Sequence, residues 1–288
     1  MPIFRLPFMM ERFCQNKLLD CPSLEPIYLN EVKEAVKDIT GRGGIVILDN
    51  HNYALHFKQV IGESAVTIEN FARFWATLAK EFCDNPNVMF EIMNDPHGLR
   101  TETVFAFNEA VMKAIRDIVN GYGTAGDFNK DYYGTKNSVA MVGLTDPGNN
   151  FSLAMHQFFN ADSSGSETCL SPKIGRERLE FVTDWMAEHG MTGFLTEFGI
   201  GDSDICVAAL KDMLEYMLEN EVWTGGAAWA AVGPAWGADY YLSMEPPSGK
   251  ALSRTLAVLE PFIAKHGPPG SGSGSGSGTC KHHQARRR

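Results

Sequence analysis

Gly193-Phe-Leu-Thr-Glu-Phe-Gly199 is the stretch on which the fold turns. Its apolar start has the length and content of a strand buried on both faces, and it closes on an acid, Glu197. Helix-patterned segments flank it at Ile174–Glu188 and Asp204–Asn220. Outward from there the alternation repeats. Strands are expected at Ile3–Pro7, Gly44–Asp49, Val88–Met93, Ser152–His156, Gly193–Thr196 and Gly225–Ala231. Further helices are expected at Leu29–Thr40, Thr67–Phe82, Thr101–Val119 and Leu252–Lys265. In Thr101–Val119 the apolar residues Val104, Phe107, Val111, Ala114, Ile115 and Ile118 recur at helical spacing. Buried strands alternating with helices imply an α/β fold with a parallel sheet. Their count and length favour a TIM-type (β/α)8 barrel over an open doubly wound sheet. No Gly-rich phosphate loop follows any strand, which weakens a nucleotide-binding reading. Two regions break the rhythm, a polar insert and the Gly/Ser repeat Gly267–Thr279. Asn120–Asn137 is a polar insert, and after it only Val139-Ala-Met-Val-Gly-Leu144 could be a strand.

Composition bounds the function. The chain has 288 residues, is 44% hydrophobic and carries a formal net charge of −10. That is enough apolar content for a sizeable core. The acidic balance argues against a nucleic-acid partner, which would need clustered Lys and Arg. No run of eighteen apolar residues suggests a membrane span, and no signal peptide is visible at the start. Three parts are expected: a domain over 1–266, a Gly/Ser linker over 267–279, and a basic tail over 280–288. The six cysteines show no CxxC spacing, so neither a zinc site nor another metal site is expected. Cys14, Cys21 and Cys83 have no evident partner, and Cys83 reads as a buried helical thiol.

The chemistry collects at strand ends, where barrel enzymes place their sites. The ends supply Arg5, His51 with Asn52, Asn94 with Asp95, His156, Glu197 and Trp229. Two carboxylates at such ends suit cleavage of a glycosidic bond: one protonates the leaving oxygen and the other attacks the sugar. Arg5 could supply donors to the attacking carboxylate. An Asn beside the acid can bind a sugar hydroxyl, and Trp229 can stack on a pyranose face. Trp236 is an outer-subsite candidate. No cofactor is required.

Several strings then occur in order: Phe4-Arg-Leu-Pro-Phe8, Asp49-Asn-His-Asn-Tyr53, Asn94-Asp-Pro-His97, Met155-His-Gln157, Thr196-Glu-Phe-Gly199 and Ser243-Met-Glu-Pro-Pro-Ser-Gly249. Together they resemble the fungal endo-β-1,4-glucanases of glycoside hydrolase family 5, over most of residues 1–266. The resemblance implies a secreted, monomeric retaining enzyme acting on β-glucan. Glu197 would be its nucleophile and Asp95 would stand at the acid/base position. It also implies a Cys169–Cys206 disulfide, and a linker of the kind that joins such enzymes to a cellulose-binding module. The chain departs from the pattern at several points. Asp95 replaces a Glu, and Phe158 replaces a Tyr. The first barrel strand and helix are missing, and the polar insert stands where a fifth strand is expected. The strand-eight stretch Ala228–Gly237 has an extra residue and fewer Trp. These departures leave open a glucanase of lowered activity, a non-catalytic β-glucan-binding homologue, or a glycanase acting on mannan, xyloglucan or β-1,3-glucan.

Overall fold

The structure, a computed structural model, describes residues 2–115, 125–131, 134–146, 150–231, 236–237 and 239–265. The predicted linker and tail therefore lie outside the described residues.

The six expected strands are present: β1 (Ile3–Phe8), β2 (Ile45–Asn50), β5 (Val88–Glu91), β6 (Leu153–Gln157), β7 (Gly193–Phe198) and β8 (Trp223–Ala228). A small hairpin, β3 (Leu55–His56) with β4 (Gln59–Val60), projects after β2. Long helices alternate with the strands: α2 (Pro26–Gly41), α3 (Ile68–Lys80), α4 (Thr101–Ile115), α6 (Ile174–His189), α7 (Asp204–Glu219) and α8 (Leu252–Lys265). Two single-turn helices also occur among the described residues, α1 (Met10–Phe13) and α5 (Asn137–Ala140). Local chemistry fixes several helix starts. The Glu25 carboxylate accepts from the Ile27 and Tyr28 amides, with Pro26 at the first helical position. Thr67 caps α3 and Ser203 caps α7 in the same way.

The strands form two three-stranded parallel sheets, in the orders β1-β2-β5 and β6-β7-β8. Side chains alternate along a strand with period two, so register decides which residues share a face. Arg5 pairs with Ile47, Pro7 with Asp49, and Asp49 with Glu91. This sets Ile3 and Arg5, Ile47 and Asp49, and Met89 and Glu91 on one face. In the second sheet His156 pairs with Glu197. The lower part of the shared face is apolar: Ile47, Phe194 and Ala227 cluster there, with Ile3 and Met89 packed against them. Residues of both sheets thus enclose one small interior. The opposite faces, with Val46, Leu48, Phe90 and Leu195, pack against the helices in the main core. At roughly 25 cal/mol per Å² of apolar surface removed from water, that larger layer dominates the stability.

The segment Val139–Leu144 is not a strand. It runs through α5 into a 3-10 turn at Met141–Gly143. Met141 and Leu144 are buried while Val139 and Val142 are exposed. That is a helical spacing of three, which a short apolar run satisfies as well as strand alternation does. The Trp185 indole donates to the Ser138 carbonyl at 2.9 Å and holds the turn in place.

The cysteines need correction too. Cys14 pairs with Cys21, at a Cα separation of 5.8 Å. Cys83 is exposed in the turn after α3 and is disulfide-bonded, so it is not a buried helical thiol. The implied Cys169–Cys206 bridge is present, with Cα atoms 5.3 Å apart. It ties the segment before α6 to the first turn of α7.

Candidate active site

Arg5 sits in the middle of β1, not at its end, and its side chain is 4% exposed. Its guanidinium meets three carboxylates. Nε and Nη2 fork onto Glu91 at 2.6 and 3.0 Å. Nη2 also reaches Asp49 Oδ2 at 3.0 Å, and Nη1 donates to Glu197 Oε1 at 2.6 Å. Nη2 donates as well to Asn94 Oδ1 at 2.6 Å. Burial alone would lower the Arg5 pKa, but Asp49, Glu91 and Glu197 together hold it well above its ordinary value. Burial pushes the Glu91 carboxyl up, against the pull of Arg5.

His51 is positioned from the same sheet. Its Nδ1 lies 2.7 Å from Asp49 Oδ2, and its Nε2 lies 3.4 Å from the Asn94 side-chain amide. Its ring stacks on Trp229 with centroids 5.5 Å apart and planes 7° apart. Arg5 lies over the same indole at 5.9 Å. Gly199 makes this approach possible, because a Cβ there would fall 2.5 Å from the Trp229 carbonyl oxygen.

His156 comes from the second sheet. A register shift between Met155 and His156 brings it opposite Glu197. Its Nδ1 stands 3.2 Å from Asp95 Oδ1 and 3.4 Å from Glu197 Oε2. Burial would lower its pKa, but Asp95 and then Glu197 raise it to about 9. Asp95 responds in the opposite sense. Burial would raise its pKa, yet the His156 charge and hydrogen bond bring it down to about 2. Asp95 also occupies left-handed backbone space, with φ at 37°, uncommon for a residue other than glycine. Tyr53 stands near these groups with its ring edge against His51. Burial, then Asp95 and Glu197, push its hydroxyl up to about 12.

The aromatic wall extends outward. Trp229 donates through Nε1 to the Tyr240 hydroxyl at 2.9 Å. Trp236, half exposed, meets Trp229 edge-on and stacks on Tyr240.

The structure therefore brings together Arg5, His51, Asn94, Asp95, His156, Glu197 and Trp229, with Trp236 at the rim. Asn52 is not among them. It is buried in the loop, accepting from the Met10 amide and donating to Glu11 and to the Leu55 carbonyl. Phe158 is buried and carries no hydroxyl toward the carboxylates. Sequence reasoning missed Asp49, Glu91, Tyr53 and Tyr240 as members of this group. Asp49 and Tyr53 bracket His51 in a quoted string, and Glu91 ends its strand; those were the available signals. Among the described residues no group of three or more His, Cys, Asp or Glu side chains is arranged to hold a metal ion. Nor is any described helix long and apolar enough to cross a membrane.

A buried arginine shared among three acids, with a histidine between two carboxylates and an aromatic wall beside them, is an arrangement for acting on a polyhydroxylated substrate. Comparison with known proteins gives it a family. Residues 1–233 match the model of cellulase, glycosyl hydrolase family 5, and the chain belongs to that family. It is 36% identical over 276 residues to endo-beta-1,4-glucanase A of Emericella nidulans, covering 91% of this chain and 80% of that one. Among solved structures it resembles an endo-beta-1,4-glucanase from Xanthomonas axonopodis pv. citri, with a TM-score of 0.84 at 31% identity. That match covers 91% of this chain and 85% of the other. It also resembles XacCel5A, determined in complex with cellopentaose, with a TM-score of 0.85 at 31% identity, covering 91% and 86% of the two chains.

Proposed function

We propose that this protein is a retaining endo-β-1,4-glucanase that hydrolyses internal bonds of cellulose and related β-glucans. The observation that carries the reading is the setting of Glu197. It is held at one oxygen by Arg5 and approached at the other by His156 Nδ1, the same ring nitrogen that Asp95 meets. Glu197 attacks the anomeric carbon and Asp95 exchanges the proton of the leaving oxygen. Arg5 fixes the nucleophile's orientation, and Asn94, anchored on Arg5, presents its amide to a sugar hydroxyl. The Trp229 face is the platform for the ring at the cleavage point, and Trp236 serves the next sugar outward. A cello-oligosaccharide ligand in a related structure supports a glucan as substrate.

The two parallel sheets are read as two arcs of one (β/α) barrel. The apolar cluster drawing on both sheets supports this. Among the described residues no strand lies between β5 and β6, where a fifth barrel strand is expected. Residues 1–266 are taken as the catalytic domain, 267–279 as a Gly/Ser linker and 280–288 as a basic tail. The disulfides support an extracellular location, where such bonds persist.

The test is turnover of a soluble cellulose derivative by the wild type and by Glu197→Ala. Loss of the nucleophile should lower kcat by roughly 10⁴- to 10⁶-fold, the range seen when one member of a catalytic unit is removed. Equal rates would remove Glu197 from that role.

A further inference from the structure

We propose that Asp95 and His156 act as one proton-holding unit: His156 stores the proton that Asp95 passes to the leaving oxygen. This rests on the reading of Glu197 and Asp95 given above. It goes beyond that reading by assigning the resting place of the proton and the event that releases it.

The argument starts from where the proton can sit. An acid/base carboxyl must hold a proton before it can give one away. Asp95 is a poor holder, since the imidazolium beside it favours its charged form. His156 is a good one. Its Nδ1 lies between two carboxylate oxygens, Asp95 Oδ1 at 3.2 Å and Glu197 Oε2 at 3.4 Å. The charged groups facing it are Asp95 from the loop after β5, Glu197 from β7, Arg5 from β1 and Glu91 from β5. Only Asp95 and Glu197 come within contact range of the ring nitrogen. Asp95 is also the member with access to substrate, because its side chain is 40% exposed and the His156 side chain only 6%. The histidine therefore holds the proton and the aspartate reaches the sugar.

The same geometry supplies the trigger. In the first step Glu197 bonds to the anomeric carbon and loses its negative charge. One of the two anions that held the proton on Nδ1 is then gone, and the proton affinity of His156 falls as the leaving oxygen's rises. The bond from the anomeric carbon to that oxygen breaks. Nδ1 gives its proton to the Asp95 carboxylate, which passes it on to the oxygen. The unit has then gone from one proton to none, with His156 neutral. In the second step water adds to the anomeric carbon and gives a proton to Asp95, which returns it to Nδ1. The bond to Glu197 breaks, and its restored charge favours the imidazolium again. Atoms and charges balance over the two steps, and no further reactant is needed.

The experiment compares kcat/KM across pH on two substrates, a soluble β-1,4-glucan and 2,4-dinitrophenyl β-cellobioside. The aryl leaving group departs without protonation, so its cleavage does not need the stored proton. For the wild type we expect the glucan profile to fall on an alkaline limb near pH 9, where His156 deprotonates, with no such limb for the aryl glycoside. His156→Asn should lower kcat/KM on glucan by roughly 10²- to 10³-fold, within the range of lost acid–base help. On the aryl glycoside it should lower it less than about tenfold. An alkaline limb on glucan below about pH 7 overturns the proposal, because the proton would then reside on an ordinary carboxyl. So does an equal loss on both substrates in His156→Asn, which marks a purely structural histidine. Should that variant fail to fold, the wild-type profiles decide alone. Failure of the wild type to cleave either substrate at any pH would instead overturn the glucanase reading and this inference with it.

Discussion

The first sheet brings Arg5, Asp49 and Glu91 to the site, all with buried side chains and both acids bonded to Arg5; the second brings His156 and Glu197, and leads at the end of β8 into Trp229. Charges of the first group are matched within hydrogen-bond reach, and the guanidinium stays protonated at any working pH. Around the His156 imidazole the contacts are longer, 3.2 Å to Asp95 and 3.4 Å to Glu197. On the proposed mechanism, the contrast separates a fixed electrostatic frame from a set of groups that exchange protons. Arg5 reaches from the frame to Glu197 at 2.6 Å. A site that moves charge needs a part that does not, so that a displaced proton finds its partners where they were.

The largest expected effect comes from breaking the frame. Arg5→Met leaves Asp49, Glu91 and Glu197 buried around an apolar chain. Removing one partner of a buried pair costs about 3–5 kcal/mol. For a chain of this size each kcal/mol lowers Tm by about 2–4 °C. A thermal melt should therefore show a fall of roughly 6–20 °C. A variant that melted like the wild type would mean that the acids neutralise on their own and that the frame is not fixed.

Next in size are two of the disulfides. Cys169–Cys206 closes 37 residues of sequence separation and Cys14–Cys21 only 7. Chain-entropy arithmetic gives about 4 kcal/mol for the longer loop and about 2 for the shorter. The double serine variants should differ in that order by chemical denaturation. The reverse order would show that the Cys14–Cys21 loop, which packs against the hairpin carrying His56, stabilises more than its length implies.

Legibility in the sequence divides along similar lines. Glu197 stood out because it ends a buried strand, and one-dimensional pattern was enough. The hub at Arg5 did not stand out as a hub. Its partner Glu91 lies 86 residues away and Glu197 192 away, and only register in two separate sheets brings them together. The shift before His156, which sets it beside Glu197, leaves no mark in the residue types. Val139–Leu144 misled because six apolar residues fit either period, and burial of Met141 and Leu144 against the helices chose the helical one. Asn52 misled because it neighbours His51, although the left-handed residues Tyr53 and Ala54 turn that loop, and Asn52 with it, toward Glu11. Local apolar pattern is thus readable, while convergence of distant charges is a property of topology.

The smallest expected effect tests whether the aromatic wall belongs to the frame or to the moving set. Trp229 is fixed from two directions: His51 of the first sheet stacks on its face, and the Tyr240 hydroxyl accepts from its indole nitrogen. Tyr240→Phe keeps the ring that stacks on Trp236 and removes only the acceptor. A lost hydrogen bond of this kind costs about 1 kcal/mol, equivalent to about fivefold in an equilibrium constant. If Trp229 is a static platform, it binds ground state and transition state alike, and the loss falls on KM with kcat unchanged. Steady-state kinetics on cello-oligosaccharides would separate the cases. A kcat that fell in step with kcat/KM would place Trp229 among the groups whose contacts tighten at the transition state, and the boundary between fixed and moving parts would then run through the indole instead of through Arg5.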